Sequence, residues 1–235
     1  MIDILFDKLY RYDRIAEPCY IGIPVKEGEL RDIGQVKVLQ AGKALPLQAK
    51  VTSRHKDGSV RFLFLRFLAD IPGNKGLTLQ CDLHGESKVE EAENFGAIKV
   101  CEEEEGLSVQ TRCDGTDQDF SFKVQHNSDS IFVKLNVLGR EYAKSQFVGP
   151  FLKDGEGNSY QVKIGQWKVV ESGPICAILK AKGSNIQAEC GNIGCDGEAE
   201  TGREHLLDVE KPGEKHIDFE VKLTAWAGKP WVDIS

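Results

Sequence analysis

The chain has no uninterrupted apolar run approaching the roughly 20 residues that a membrane helix requires. Its first residues, Met-Ile-Asp-Ile-Leu-Phe-Asp-Lys, lack the basic segment, apolar core and small-residue cleavage site of a secretory leader. A cytoplasmic address is the resulting expectation. Helical periodicity is almost missing, and no internal repeat is visible. No Gly-rich phosphate loop stands between a strand and a helix. The histidines (His55, His84, His126, His205, His216) show neither metal spacing nor a companion nucleophile motif. Positive charge is in short supply, with 30 Lys and Arg against 37 Asp and Glu and a net charge of −7. Nothing in that balance would offset phosphate repulsion, so nucleic acid and an anionic membrane are disfavoured as partners. The 7 cysteines are odd in number and not compactly paired, which suits reduced, mostly buried thiols better than a disulfide framework.

What is present is strand. The 235 residues are 40% hydrophobic and 29% charged, ordinary values for a globular chain with room for one large or two small domains. Strand candidates recur at Cys19–Val25, Gln35–Gln40, Leu47–Arg54, Ser59–Leu68 and Leu77–Leu83. They resume at Ala97–Cys101, Leu107–Arg112, Phe120–Gln125, Ile131–Leu138, Tyr160–Val170, Pro174–Lys182, Lys215–Trp226 and Trp231–Ser235. Many short strands separated by Gly, Pro, Asp and Asn turns predict an all-β fold, barrel or sandwich. The acidic run Glu86-Ser-Lys-Val-Glu-Glu-Ala-Glu-Asn94 has no apolar stripe and divides a first domain, 1–85, from a second, 96–235, with 86–95 as linker.

Two hairpins can be read residue by residue. Asp57-Gly58 is a two-residue type I′ signal, since both central positions need positive φ. Folding there sets His55 against Val60, Ser53 against Phe62, Val51 against Phe64, Lys50 against Leu65, and Arg54 directly against Arg61. Facing arginines are unfavourable unless a carboxylate of the protein or of a ligand lies between them. Arg54 and Arg61 are therefore a candidate uronate clamp, with outward snorkelling or pairing to a nearby Asp or Glu as the ordinary alternative. At the other end, Leu223–Ser235 reads as a hairpin with the four-residue loop Ala227–Pro230. Leu223 then faces Ile234, Ala225 faces Val232, and Trp226 and Trp231 sit on the polar side. Indole faces stack on the C–H-rich faces of sugars, which makes Trp226 and Trp231 carbohydrate-binding candidates, with packing against protein as the alternative. The final strand stops against a partner able to run further, and the chain is expected to be cut short there.

Other constellations are weaker. In Ser184–Glu214 the carboxylates Glu189, Asp196, Glu198, Glu200, Glu204, Asp208 and Glu210 outnumber Arg203 and Lys211, as in a solvated loop or a functional one. The Cys190-Gly-Asn-Ile-Gly-Cys195 spacing is too long for a zinc knuckle, and Cys176 and His205 would complete it only by accident of folding. Asp154-Gly-Glu-Gly-Asn158 and Asp114-Gly-Thr-Asp-Gln-Asp119 lack the terminal Glu of a calcium loop and read as turns. No catalytic residue, metal site or cofactor is expected from these patterns.

Ile23-Pro24, Gly28-Glu-Leu30, the Gly42-Lys-Ala-Leu-Pro46-Leu-Gln48 segment and Asp57-Gly58-Ser59-Val60-Arg61-Phe62 together resemble the N-terminal barrel of the exo-rhamnogalacturonan lyase (YetA-like) family. Ser172-Gly173-Pro174 and the turn Trp226-Ala-Gly-Lys-Pro-Trp231 are similar in kind to features of that family's central sandwich. The resemblance implies a small RIFT-type β-barrel over 1–85 and the front part of a β-sandwich over 96–235. It also implies a polysaccharide lyase context, in which an acidic pectin backbone is cleaved by β-elimination. The family's catalytic groups are expected mainly at a C-terminal α/α toroid or its junction with the sandwich, and no catalytic residue is carried onto this chain. The implied partners are an acidic oligosaccharide or that toroid.

Overall fold

The computed structural model describes residues 1–8, 11–85, 96–147, 152–153, 155, 159–187 and 216–235. The linker 86–95, the Cys190–Cys195 pair, His205, all but Gly155 of the Asp154–Asn158 loop, and the acidic segment beyond Gln187 lie outside the described residues. The protein is all-β, its strands forming four antiparallel sheets among the described residues.

The first seven strands are β1 (Ile2–Phe6), β2 (Arg14–Pro24), β3 (Lys37–Gln40), β4 (Lys43–Ala44), β5 (Leu47–Arg54), β6 (Val60–Ile71) and β7 (Leu77–Asp82). They make two sheets, ordered β1-β7-β3-β4 and β2-β6-β5, around one apolar cluster. β6 shows why. Its alternate residues Leu63, Leu65, Phe67, Ala69 and Ile71 are buried, while Phe62 and Asp70 look outward. Each fully buried Leu or Phe of that row contributes about 2 kcal/mol.

The β5–β6 hairpin corrects the expected register. His55 N–H donates to the Ser59 carbonyl at 2.8 Å and Gly58 N–H to the His55 carbonyl at 3.1 Å. The loop thus holds three residues, Lys56, Asp57 and Gly58, and only Gly58, at φ +85°, is left-handed. Asp57 instead accepts from Ser59 N–H at 2.9 Å and from Ser59 Oγ at 2.5 Å, and binds Arg31 Nη2 at 2.9 Å. The extra loop residue moves the pairing by one: Lys50 meets Phe64, Val51 meets Leu63, and Arg54 meets Val60. Bulges at Thr52 and Arg61 leave Ser53 opposite Phe62, as expected, while Arg54 and Arg61 are not a cross-strand pair.

The remaining strands are β8 (Lys99–Glu103), β9 (Gly106–Arg112), β10 (Asp119–Gln125), β11 (Lys134–Val137), β12 (Arg140–Ala143), β13 (Leu152–Lys153), β14 (Ser159–Ser172), β15 (Cys176–Gln187), β16 (His216–Trp226) and β17 (Val232–Ile234). They form the sheets β12-β11-β10-β9-β8 and β13-β14-β15-β16-β17. Leu107, Val109, Phe120, Phe122 and Val124 of one share a core with Ile164, Trp167, Leu179, Leu223 and Ala225 of the other. Phe122 and Phe132 meet edge to face, with centroids 5.5 Å apart. The β16–β17 register is the expected one, pairing Leu223 with Ile234 and Ala225 with Val232.

The two groups of sheets meet through a polar seam. Glu171, at the end of β14, pairs with Arg66 of β6, accepts from Gln48 Nε2 at 2.7 Å, and lies 3.2 Å from Lys50 Nζ. Gln48 Oε1 in turn accepts from the N–H groups of Ile175 (3.1 Å) and Cys176 (2.9 Å). Gly173 makes this approach possible, because a Cβ there would stand 2.3 Å from Gln48 Cδ.

Candidate functional site

The sequence-selected residues separate into two places. Trp226 does project to the polar side of its hairpin, but it is only 8% exposed and belongs to the apolar cluster that contains Leu68 of β6 and Cys176 of β15. Its Nε1 donates to Asp233 Oδ2 at 3.1 Å. The ring is used inside the protein. Trp231 is 43% exposed, with Lys229 Nζ 5.9 Å from its ring centroid.

The loop between them is clamped. Gly228 (φ +73°) donates its N–H to Thr111 Oγ1 at 2.9 Å and accepts from Asp114 N–H at 2.9 Å. Lys229 Nζ sits 3.1 Å from both Asp114 Oδ2 and the Ile15 carbonyl. This ties Trp231 to the Arg14 end of β2. Arg61 lies at the other end, beside Phe62, which pairs with Pro24. Nine residues of strand separate the two ends, about 30 Å. Trp231 and the arginines are therefore not one site.

Arg54 Nη1 donates to the Gly58 carbonyl at 2.8 Å and caps its own turn. Arg61 does something different. Its guanidinium lies 5.9 Å from the centroid of the Phe62 ring, the first member of an aromatic face that sequence reasoning missed. Register sets Tyr20 of β2 opposite Arg66, Gly22 opposite Phe64, and Pro24 opposite Phe62. Tyr20 is 68% exposed and Phe62 43%. Tyr20 and Phe64 have centroids 6.0 Å apart with planes inclined by 30°, and Arg66 Cζ stands 4.8 Å over Phe64. Gly22 leaves open space between them, since a Cβ there would meet nothing within 4 Å. Lys50, paired with Phe64 from the β5 side, adds a half-exposed ammonium.

The signal for this face was present. Tyr20-Ile-Gly-Ile-Pro24 and Phe62-Leu-Phe-Leu-Arg66 both place aromatics in the phase opposite to their buried aliphatics. What the sequence did not reveal is the pairing of β2 with β6 that brings these two runs side by side.

Elsewhere the chemistry is quiet. Burial pushes the thiols of Cys19 and Cys81 up to about 11 and that of Cys176 up to about 12; Cys113 is raised for the same reason. All are free thiols held protonated, not nucleophiles. A cleft of about 750 Å³ opens beside Gly96, Lys99, Gln110, Arg112 and Asp119. Three of its polar side chains are already engaged: Gln110 donates to Asp119 at 2.6 Å and Arg112 pairs with Asp117. Among the described residues no group of three or more His, Cys, Asp or Glu could hold a metal ion. No described helix is long and apolar enough to cross a membrane. No protein-family model matches the chain, and no curated protein matches it.

Proposed function

We propose that this protein is a glycan-contacting β-module of the exo-rhamnogalacturonan lyase type, engaging acidic pectin-derived oligosaccharides in the cytoplasm. Bond cleavage belongs to groups that this chain does not supply. The carrying observation is the face of exposed Tyr20 and Phe62 and half-buried Phe64 around the open floor at Gly22, bracketed by Arg61 and by Lys50, which also reaches Glu171. Aromatic rings on paired strands form a rigid platform for sugar C–H faces, and flanking cations suit uronate carboxylates. The RIFT-type barrel and front-sandwich organisation implied by the sequence resemblance supports the same reading. Trp231, half-exposed on the far turn, is a second contact at most.

Calorimetry with galacturonate–rhamnose oligomers tests this. Binding is expected to weaken at least ten-fold in Tyr20→Ala/Phe62→Ala, with no ultraviolet-absorbing elimination product released by the chain alone. Absence of any heat with these oligomers, or product formation, refutes the reading.

A protein-docking module is the second reading. It is favoured by β16, which pairs with β15 along Ile186–Cys176 but, among the described residues, with the last strand from Ala225 to Lys222, where Lys222 and Ser235 exchange both backbone hydrogen bonds, while Ile217 is half-exposed. Capture of a protein partner together with indifference to the sugars would favour it.

A further inference from the structure

The outer face of the β14–β15–β16 sheet is a second exposed surface, distinct from the aromatic one. Its register sets Lys168 opposite Lys180, and Lys180 opposite Lys222. Three ammonium-bearing side chains therefore stand in a row across three strands, about 10 Å from end to end. Lys182 stands two residues further along β15, and Lys163 further along β14. All point away from the core, because Val162, Ile164, Trp167, Leu179, Ala181, Val221 and Leu223 take the other face.

Like charges directly opposite one another cost stability. The carboxylates on the same stretch of β16 are Asp218 and Glu220. Glu220 accepts from Lys180 Nζ at 2.6 Å, and that bond, with the charges of Lys180, Lys182 and Lys222, holds its carboxyl below the usual range. Glu220 also stands directly opposite Lys182, and Asp218 opposite Ser184, so two carboxylates answer five ammonium groups. The face stays cationic on a chain whose net charge is −7.

We propose that the row Lys168–Lys180–Lys222, with Lys182, is an anion-reading site for a carboxylate-bearing glycan. This rests on the reading that the protein engages acidic oligosaccharides. Separate ammonium groups spaced by strands suit separate carboxylates spaced along a sugar chain. Nucleic acid fits poorly, since it needs several ring faces to stack successive bases, and among the described residues this end of the face carries the buried Trp226 and a single exposed ring, Trp231.

Calorimetry of the full chain with polygalacturonate oligomers at low and moderate salt provides the test. Lys168→Gln/Lys180→Gln/Lys222→Gln is expected to lose at least ten-fold in affinity and to flatten the salt dependence. Glu220→Gln is expected to bind severalfold tighter, a gain that unfolding could not produce. Tyr20→Ala/Phe62→Ala serves as the control for the aromatic face. Native-like affinity and salt slope in the lysine variant, with loss in the aromatic variant, overturns this site and leaves the glycan reading intact. No binding by the unsubstituted chain overturns both. Tighter binding of a single-stranded DNA oligomer than of polygalacturonate at equal salt overturns the choice of ligand.

Discussion

Gln48 shows how much one buried side chain carries. Its carbonyl oxygen satisfies two backbone donors of the β14–β15 turn while its amide reaches Glu171. Gln48→Leu keeps the volume and strands both N–H groups, so a loss of about 3 kcal/mol is expected in urea unfolding. Asp57 gives a pH signature. The hydrogen bonds from Ser59, and less strongly the Arg31 charge, hold its carboxyl below the ordinary value near 3.8. A depressed folded pKa means that its stabilising contribution is present above the unfolded pKa and disappears as pH falls through the folded one. NMR titration should find the Asp57 midpoint below 3.8, and Asp57→Asn should remove the matching acid-induced shift at Ser59. The buried thiols add a third expectation. Under native conditions Cys19, Cys81 and Cys176 resist alkylation, whereas exposed Cys101 is labelled, as peptide mapping would read.

At the scale of elements, the two hairpins explain what sequence can and cannot reveal. The Leu223–Ser235 register was legible because its apolar alternation and its loop length agree. The β5–β6 register was not, because Asp57-Gly58 serves equally as a two-residue turn or as the end of a three-residue one. The difference lies in Ser59 and Arg31, which bind Asp57 and keep it out of the left-handed region; Arg31 is distant in sequence. Most strand positions followed from alternation alone. β1, β4, β12 and β13 escaped, being short or sheet-edge strands defined by their neighbours. The aromatic face escaped because it depends on the pairing of β2 with β6, which no turn in the sequence announces. The two turn glycines should also differ in substitution. At Gly58 an added Cβ meets only Arg31 Nη1 at 3.9 Å, so Gly58→Ala costs backbone strain alone, about 1 kcal/mol. At Gly228 it would stand 2.1 Å from Asp114 Oδ1, so Gly228→Ala loses more in thermal unfolding and detaches Lys229 from its carboxylate.

The whole molecule is governed by its seam. Side chains of Arg66 and Glu171 are 12% and 11% exposed, so their pairing is shielded from solvent more than the surface ion pairs are. Glu171→Gln leaves Arg66 without its counter-charge, and a loss of about 2 kcal/mol is expected, discounted for the remaining exposure. Calorimetry should then show the N-terminal and C-terminal sheets melting in two separated steps where the unsubstituted chain melts in one. A single unshifted transition would show that apolar contact at Leu68 and Trp226 suffices to couple them. Sequence offered no route to this seam, because Gln48, Lys50, Arg66 and Glu171 are unremarkable polar residues until two sheets far apart in the chain are laid together.

The missing side chain at position 173 makes two distant positions answer to each other. A library randomising either 48 or 173 alone should return little besides Gln and Gly, since any methyl at 173 collides with the amide at 48. Randomising both together should recover compensated pairs, a shorter amide facing a small residue. Exchange of one half between divergent homologues would fail for the same reason unless both positions travelled together.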